Sequence, residues 1–422
     1  MFRTLVPWSN TAHSSHNGTF VVSLEKIYQA QERIKEVVVK TPFSYAPHLS
    51  HESGAEVYLK KENLQITGAF KIRGAFNKIA SLSDAERNKG VVAASAGNHA
   101  QGVAYSARYF ATHAVIIMPE STPLTKVSGV KHYGAEVILA GANYDEAYAY
   151  ATRYGTENDL SFIHPFEDEE VIAGQGTIAL EIMDYDGIDA IIVPVGGGGL
   201  ISGIASAVKA LKPEIEVIGV SAAGAPALKS SFDNQRVIDS TSVRTIADGI
   251  AVRDTSSVTL ELILESVDRF ISVDDEEIAS AILFLLEKQK LVVEGAGAVG
   301  VAAMLHHKLP HLKNKKVAVV LSGGNMDVTL LSVIIEKGLI KSNRKMKLTV
   351  TLIDKPGSLM RLTEILQELN ANIVHIAYDR TSTDLDYGDA NVTIHLETKG
   401  EAHQSEIRKS LSDNGYFSSE NH

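Results

Sequence analysis

Short apolar runs alternate with one-sided helical patterns along most of the chain. Behind a polar leader, Ser23 is placed to cap a helix whose apolar residues Leu24, Ile27, Tyr28, Ile34 and Val38 share one face, with Thr41-Pro42 closing it. From Glu56 onward the β-rich runs are 57–59, 91–93, 114–118, 137–139, 190–195, 217–220 and 317–321. Runs apolar on both faces and separated by helical patterns predict parallel strands covered on both sides. That describes an α/β body whose ligands sit at the carboxyl ends of its strands.

Three of these strands run into loops rich in small residues. Residues 91–94 lead into Ser95-Ala96-Gly97-Asn98-His99-Ala100-Gln101-Gly102, residues 190–195 into Gly196-Gly197-Gly198-Gly199-Leu200, and residues 317–321 into Ser322-Gly323-Gly324-Asn325. All three loops are expected on one edge of one sheet. Consecutive glycines let the backbone curl and present several N–H groups at a helix start, which suits a phosphate dianion. The loop has neither the Lys-Ser/Thr ending of a nucleoside-triphosphate loop nor the spacing of a dinucleotide fingerprint, so it points to a phosphate monoester on a smaller cofactor. A plain strand-to-helix turn would need only one or two glycines.

A lysine with unusual flanks lies upstream, in Leu64-Gln65-Ile66-Thr67-Gly68-Ala69-Phe70-Lys71-Ile72-Arg73-Gly74-Ala75. An apolar niche strips hydration from an ammonium group, lowers its pKa and frees the amine as nucleophile or base. Against this stands the ordinary reading of Lys71 as a solvated residue at a helix start.

The pattern changes after Lys341-Ser342-Asn343-Arg344-Lys345, a basic polar linker. A strand at 348–353, the turn Asp354-Lys355-Pro356-Gly357, a helix through Leu359, Leu362, Ile365, Leu366 and Leu369, strands at 372–378 and 391–396 and a helix at 405–411 follow. A fourth strand would have to come from the few residues after Gly415, so it is short or missing.

Composition narrows the chemistry. A chain of 422 residues folds as two or three domains. A net charge of −11 without basic runs disfavours nucleic acid and anionic membrane as partners and leaves a small-molecule substrate. The absence of cysteine removes disulfides, thiolate metal sites and cysteine nucleophiles. The first twenty residues lack the apolar core of a signal peptide and no later run is long and apolar enough to span a bilayer, so a cytoplasmic location is expected. Asn17-Gly18-Thr19 reads as polar tail rather than glycosylation site. The fifteen histidines are scattered, His306-His307 and the pair His13 and His16 read as surface imidazoles, and no metal site is expected among them.

A reactive lysine, a phosphate cup and a Ser-Gly-Gly-Asn turn together suggest pyridoxal 5′-phosphate, whose aldehyde, phosphate and ring nitrogen each need a partner. In these motifs, in this order, and over roughly 23–415, the chain resembles the threonine ammonia-lyases (threonine dehydratases) of the β-elimination family of pyridoxal-phosphate enzymes, the form with one C-terminal ACT module. The resemblance implies a fold type II, tryptophan synthase β-like catalytic body over 23–341, with a small mobile subdomain inserted at about 88–165. It implies an N-terminal extension at 1–22, an ACT domain at 346–422 that pairs with a copy of itself, and a homo-oligomer, dimer or tetramer.

The resemblance also implies roles. Lys71 holds the cofactor as a Schiff base and, once displaced by the substrate amine, takes the Cα proton. Asn98 bonds the ring hydroxyl, Gly196, Gly197, Gly198, Gly199 and Leu200 the phosphate, and Ser322 the pyridine nitrogen. Ser95, Ala96, Gly97, Asn98 and His99 receive the substrate carboxylate, His99 chiefly as support for its loop. A hydroxyl rather than a carboxylate at the ring nitrogen leaves the ring largely unprotonated, which favours expulsion of a β-hydroxyl over transamination. The implied reaction takes L-threonine, and L-serine, to 2-oxobutyrate or pyruvate plus ammonia.

The chain departs from its relatives in two places. Where metal-dependent members carry Glu and Asp, it has Gly219-Val220-Ser221-Ala222-Ala223-Gly224-Ala225-Pro226, without either carboxylate; where racemases carry a serine as second base, it has Ala96. Glu294 is a candidate to approach the cofactor or a potassium-like monovalent cation, with a simple helix-start carboxylate as an equal reading. Asp248-Gly249-Ile250-Ala251-Val252 matches a family loop without an assigned contact. Asp354 and Gly357 would receive an amino-acid effector, such as isoleucine or valine, at a helix N-terminus. Two other functions stay open, a serine-directed dehydratase or racemase and a catalytically idle amino-acid sensor on the same fold. One methyl in a pocket is worth only about 1–3 kcal/mol, so the sequence does not rank threonine over serine.

Overall fold

The Ser23 side chain accepts the N–H of Lys26 and starts the first helix, Leu24–Ile34. That helix ends well before Thr41-Pro42, because Val37 and Val38 both turn their N–H groups back to the Ile34 carbonyl. The computed structural model describes residues 22–383, 385–416 and 418–419. The leader, with its sequon, His13 and His16, lies outside the described residues apart from Val22. The chain divides into two units, one of residues up to 275 with 296–325, the other of 276–295 with 326 onward.

The first unit holds two sheets. Its strands are β1 (Phe43–Tyr45), β2 (Glu56–Lys60), β3 (Val91–Ala94), β4 (Ala114–Met118), β5 (Glu136–Leu139), β6 (Ser161–Phe162), β7 (Ala190–Pro194), β8 (Glu216–Ala222), β9 (Arg269–Val273) and β10 (Lys316–Val320). The larger sheet runs β1-β2-β10-β7-β8-β9, parallel except for β1, and the smaller runs β5-β4-β3-β6, parallel throughout. The expectation of three loops on one edge of one sheet is therefore corrected, since β3 carries the Ser95 loop from the smaller sheet. An apolar run on both faces states that a strand is covered, not which sheet it joins. The smaller sheet has its own core, Val91, Ala93, Ile116 and Met118 on one side and Val92, Ala94, Val115 and Ile117 on the other. Helices Glu169–Met183 and Gly199–Leu211 cover Ile191, Val193, Ala318 and Val320 of the larger sheet.

The second unit contains helix Asp275–Phe284, most of which lies there, helix Val328–Lys341 and a sheet of β11 (Lys345–Ile353), β12 (Asn372–Asp379), β13 (Asp389–Glu397) and β14 (Ser418–Ser419) in the order β12-β13-β11-β14. Lys341 ends a helix and Lys345 begins a strand, so the linker shrinks to 342–344. Helices Ser358–Glu368 and Glu401–Asp413 cover one sheet face through Leu362, Leu366, Ile407 and Leu411 against Leu348, Val350 and Ile394. The last strand is two residues long, opposite Thr349 and Val350.

Candidate active site

Lys71 is the first residue of helix Lys71–Ser81, and a buried charge cluster anchors that first turn. Arg73, fully buried, donates through Nε and Nη2 to the Glu62 carboxylate at 2.8 Å each, and through Nη1 to Glu181 at 2.6 Å and Thr177 at 3.1 Å. Lys60 donates to the Thr41 carbonyl at 2.7 Å and pairs with Glu181, while the Thr41 hydroxyl bonds Glu62. Two cations face two carboxylates, so the cluster is neutral. Burial alone would raise the Glu62 pKa, but the Arg73 guanidinium reverses it and holds the carboxyl below its ordinary value. Burial pulls Lys60 below its ordinary value although Glu62 and Glu181 oppose the shift.

The loop after β10 is stitched to the segment before Lys71. Phe70 N–H donates to the Ser322 carbonyl at 3.0 Å, Gly324 N–H to the Gly68 carbonyl at 2.8 Å, and Ala69 bridges Gly323. Asn325 Nδ2 reaches the Thr67 carbonyl at 2.8 Å and Asn98 Oδ1 at 2.7 Å. Ser322 and Asn98, which follow strands of different sheets, are thus brought into one neighbourhood with Lys71, the start of a helix.

The glycine loop joins through residues 163–167. Lys71 Nζ donates to the Pro165 carbonyl at 2.8 Å. The next residue, Phe166, lies against the glycines so closely that a Cβ on Gly197 would fall 2.5 Å from its ring and one on Gly199 2.8 Å from its Cβ. Gly198 has φ +91°, a conformation that L side chains resist, and the Thr259 hydroxyl fixes the loop by donating to the Gly197 carbonyl at 2.9 Å. Leu200, the second residue of helix Gly199–Leu211, is buried behind the loop.

His99 Nε2 meets the Ile163 carbonyl at 2.8 Å. A carbonyl only accepts, so Nε2 carries the proton, and Nδ1 is left buried with no partner. Burial, then the charge of Lys71, holds the His99 pKa down to about 3, and burial holds His164 down to about 4. Both imidazoles are neutral near pH 7. Ser95 Oγ accepts the Gly97 N–H at 3.2 Å, and Ala96 is half-buried between them.

Helices Lys71–Ser81, Asn98–Tyr109 and Gly199–Leu211 all begin without a side-chain cap and without an acid in the first turn. Ser23, Ser83, Asn143, Asp168, Ser256 and Asp327 cap their helices, whereas the helices beginning at Pro47, Leu124, Ala227, Ser358 and Glu401 share the uncapped start. Uncapped first turns leave N–H groups and a positive dipole end for anions. A side-chain-free cradle, a buried serine hydroxyl and a lysine held beside them fit a phosphate-bearing aldehyde cofactor.

Among the described residues no three His, Asp or Glu side chains gather as metal ligands. Ser221 Oγ, on β8, is buried without a hydrogen-bond partner, and Ala225 follows the strand. Asp248 pairs with Lys126 at 3.0 Å while Ile250 packs on Gly196. Glu294 belongs to the second unit. There too, Gly357, φ +90°, starts an uncapped helix, and Asp354 already accepts the Tyr378 hydroxyl at 2.9 Å and pairs with Arg380 at 3.4 Å. Sequence reasoning missed the segment His164-Pro165-Phe166, the role of Asn325 and the Arg73 cluster. Lys60, Glu62 and Arg73, charges set among apolar residues, were the available signal for the cluster.

Residues 34–323 match the model of a family described as pyridoxal-phosphate dependent enzyme. The L-threonine ammonia-lyase of Thermotoga maritima is 49% identical over 397 residues, 94% of this chain and 98% of that protein. Among solved structures, maize serine racemase has a TM-score of 0.71 and 36% identity, covering 76% of this chain and 99% of that one. The processed form of threonine deaminase isoform 2 from Solanum lycopersicum has a TM-score of 0.70 and 36% identity, covering 74% and 88%.

Proposed function

The chain belongs to the pyridoxal-phosphate dependent enzyme family, and from that premise we propose that it converts L-threonine, and L-serine, by β-elimination to 2-oxobutyrate or pyruvate plus ammonia. The observation that carries this reading is the convergence of Lys71, Asn98, the Ser322 loop and the glycine cradle, joined through Pro165, Phe166 and Asn325. The choice of substrate follows the near-full-length likeness to the Thermotoga lyase.

Lys71 would hold the cofactor through its amine, residues 196–200 its phosphate, Asn98 its ring hydroxyl and Ser322 its ring nitrogen. When bound, the cofactor supplies an aldehyde that captures the substrate amine and a conjugated ring that takes up the electron pair left at Cα. The uncapped turn at 95–99 holds the substrate carboxylate and so orients the Cα–H bond. Lys71 Nζ is also the group that would take the Cα proton, a general-base role worth about 10²–10⁴-fold. The proton taken from Cα balances the one the β-hydroxyl needs to leave as water, and the enamine product then tautomerises and takes up water to give the 2-oxo acid and ammonia. Ala96 offers no proton to the opposite face of Cα, so elimination is favoured over racemisation despite the likeness to a racemase.

The same reading includes a catalytic body at 23–341 with its inserted subdomain, a C-terminal ACT-like module, cytoplasmic residence and a homo-oligomer. Exposed Val374, Ile376 and Tyr378 on the outer strand β12 support pairing of the module with a copy of itself, and the uncapped turn at Gly357 supports an effector carboxylate there. Asp354 would have to exchange Arg380 for the effector ammonium. Measuring 2-oxo acid release from each amino acid, with kcat/KM for both, tests the central claim. No 2-oxo acid from either one sinks it.

A further inference from the structure

Segment 163–167 bears no cofactor or substrate contact of its own in the reading above, yet it touches His99, Lys71 and the glycine cradle. Ile163 accepts His99, Pro165 accepts Lys71 and Phe166 underlies the glycine cradle. The geometry of this turn depends on one ring. Proline has no N–H, so the turn cannot be tied at Pro165 itself. Instead the N–H groups of Phe166 and Glu167 both donate to His164 Nδ1, at 3.2 and 2.7 Å. A nitrogen that accepts carries no proton, which places the proton on Nε2, 3.3 Å from the Glu167 carboxylate. The ring is wedged among Tyr148, Phe162 and Phe166, with centroids 5.8, 6.1 and 4.9 Å away.

We propose that His164 is a positioning residue for Lys71: its Nδ1 sets the turn that aims the Pro165 carbonyl at the lysine amine and seats Phe166 beneath the glycine cradle. This rests on the assignment of Lys71 as the cofactor-bearing lysine. Without the acceptor, two N–H groups lose their partner, the turn relaxes, and both the amine and the cradle lose their common reference. Displacements near 1 Å at a reacting group cost up to about 10²-fold in rate.

Asparagine and glutamine separate this role from simple packing. The Oδ1 of asparagine falls where Nδ1 of histidine lies, whereas the glutamine amide reaches toward the Nε2 position. Wild type, His164→Asn, His164→Gln and His164→Leu are stripped of cofactor and reloaded with pyridoxal 5′-phosphate. Loading of Lys71 is followed as the mass gain fixed by borohydride, and kcat and KM for threonine are then measured on each. The asparagine variant should load and turn over within about threefold of wild type, while the glutamine and leucine variants load roughly 10- to 100-fold more slowly and lose kcat more than KM. Glutamine matching or exceeding asparagine, or all three matching wild type, overturns the proposal. A wild-type chain that never acquires the mass gain would instead sink the assignment of Lys71.

Discussion

At the scale of single residues, the site relies on the amine of Lys71 and on two neutral imidazoles, His99 and His164. Lys71→Ala should leave a folded protein with no borohydride-fixed cofactor and at least about 10³-fold less 2-oxobutyrate release, because hold and base disappear together. Residual turnover near wild type would move the chemistry to another residue. His99 makes a separate prediction about pH. Its pKa is about 3 in the fold against an ordinary 6.5, so the unfolded chain binds the extra proton between those values. The His99 contribution to stability is whole above pH 6.5 and drains as pH falls, by up to about 1.4 kcal/mol per pH unit. His99→Gln keeps a donor for the Ile163 carbonyl and removes the titration. Urea midpoints followed by circular dichroism should therefore fall less for the variant than for wild type between pH 7 and pH 5. Equal falls would show that His99 takes up its proton as readily in the fold as in the unfolded chain, and would overturn the prediction.

At the scale of elements, the start of helix Lys71–Ser81 is held by charge rather than by a cap. Glu62→Gln removes one carboxylate from a balanced buried set and leaves Arg73 and Lys60 with one partner too few, which should cost about 3–5 kcal/mol. The check is the chemical unfolding transition of the first unit at neutral pH. A loss below about 1 kcal/mol would mean that water or rearrangement replaces the carboxylate. The sequence made much of this level legible. Runs at 114–118 and 190–195 are strands because both their faces are apolar, and Ser23 caps the helix that its spacing announced. Strands β1, β6 and β9 escaped because three-residue, two-residue and mixed-polarity segments have no period to detect. The glycine loop and Lys71 were visible as local chemistry. Phe166 was not, and Asn325 was visible only as part of its turn, since their importance lies in partners far away along the chain.

At the scale of the whole molecule, the maize serine racemase structure is matched over 99% of its length by 76% of this chain. A chain ending at Arg344, just before β11, should keep threonine turnover within about threefold and lose any response to isoleucine or valine, because an effector acts only through a state it binds differently. Initial rates with and without each amino acid decide it, and equal sensitivity in both chains would put control inside the body. The strand order of the larger sheet also bears on synthesis. β10, the last of its strands to leave the ribosome, lies in the middle, between β2 and β7. Until residue 320 has emerged, the nascent chain has two half-sheets with raw inner edges, the state most exposed to wrong pairing. The Ser322 loop arrives on the same strand, so completion of the sheet and readiness to capture cofactor become a single late event. Ribosome-bound chains halted with β10 still in the exit tunnel should take up no cofactor, while chains released past residue 325 should take it up; early capture would mean that the first half of the body builds the site alone.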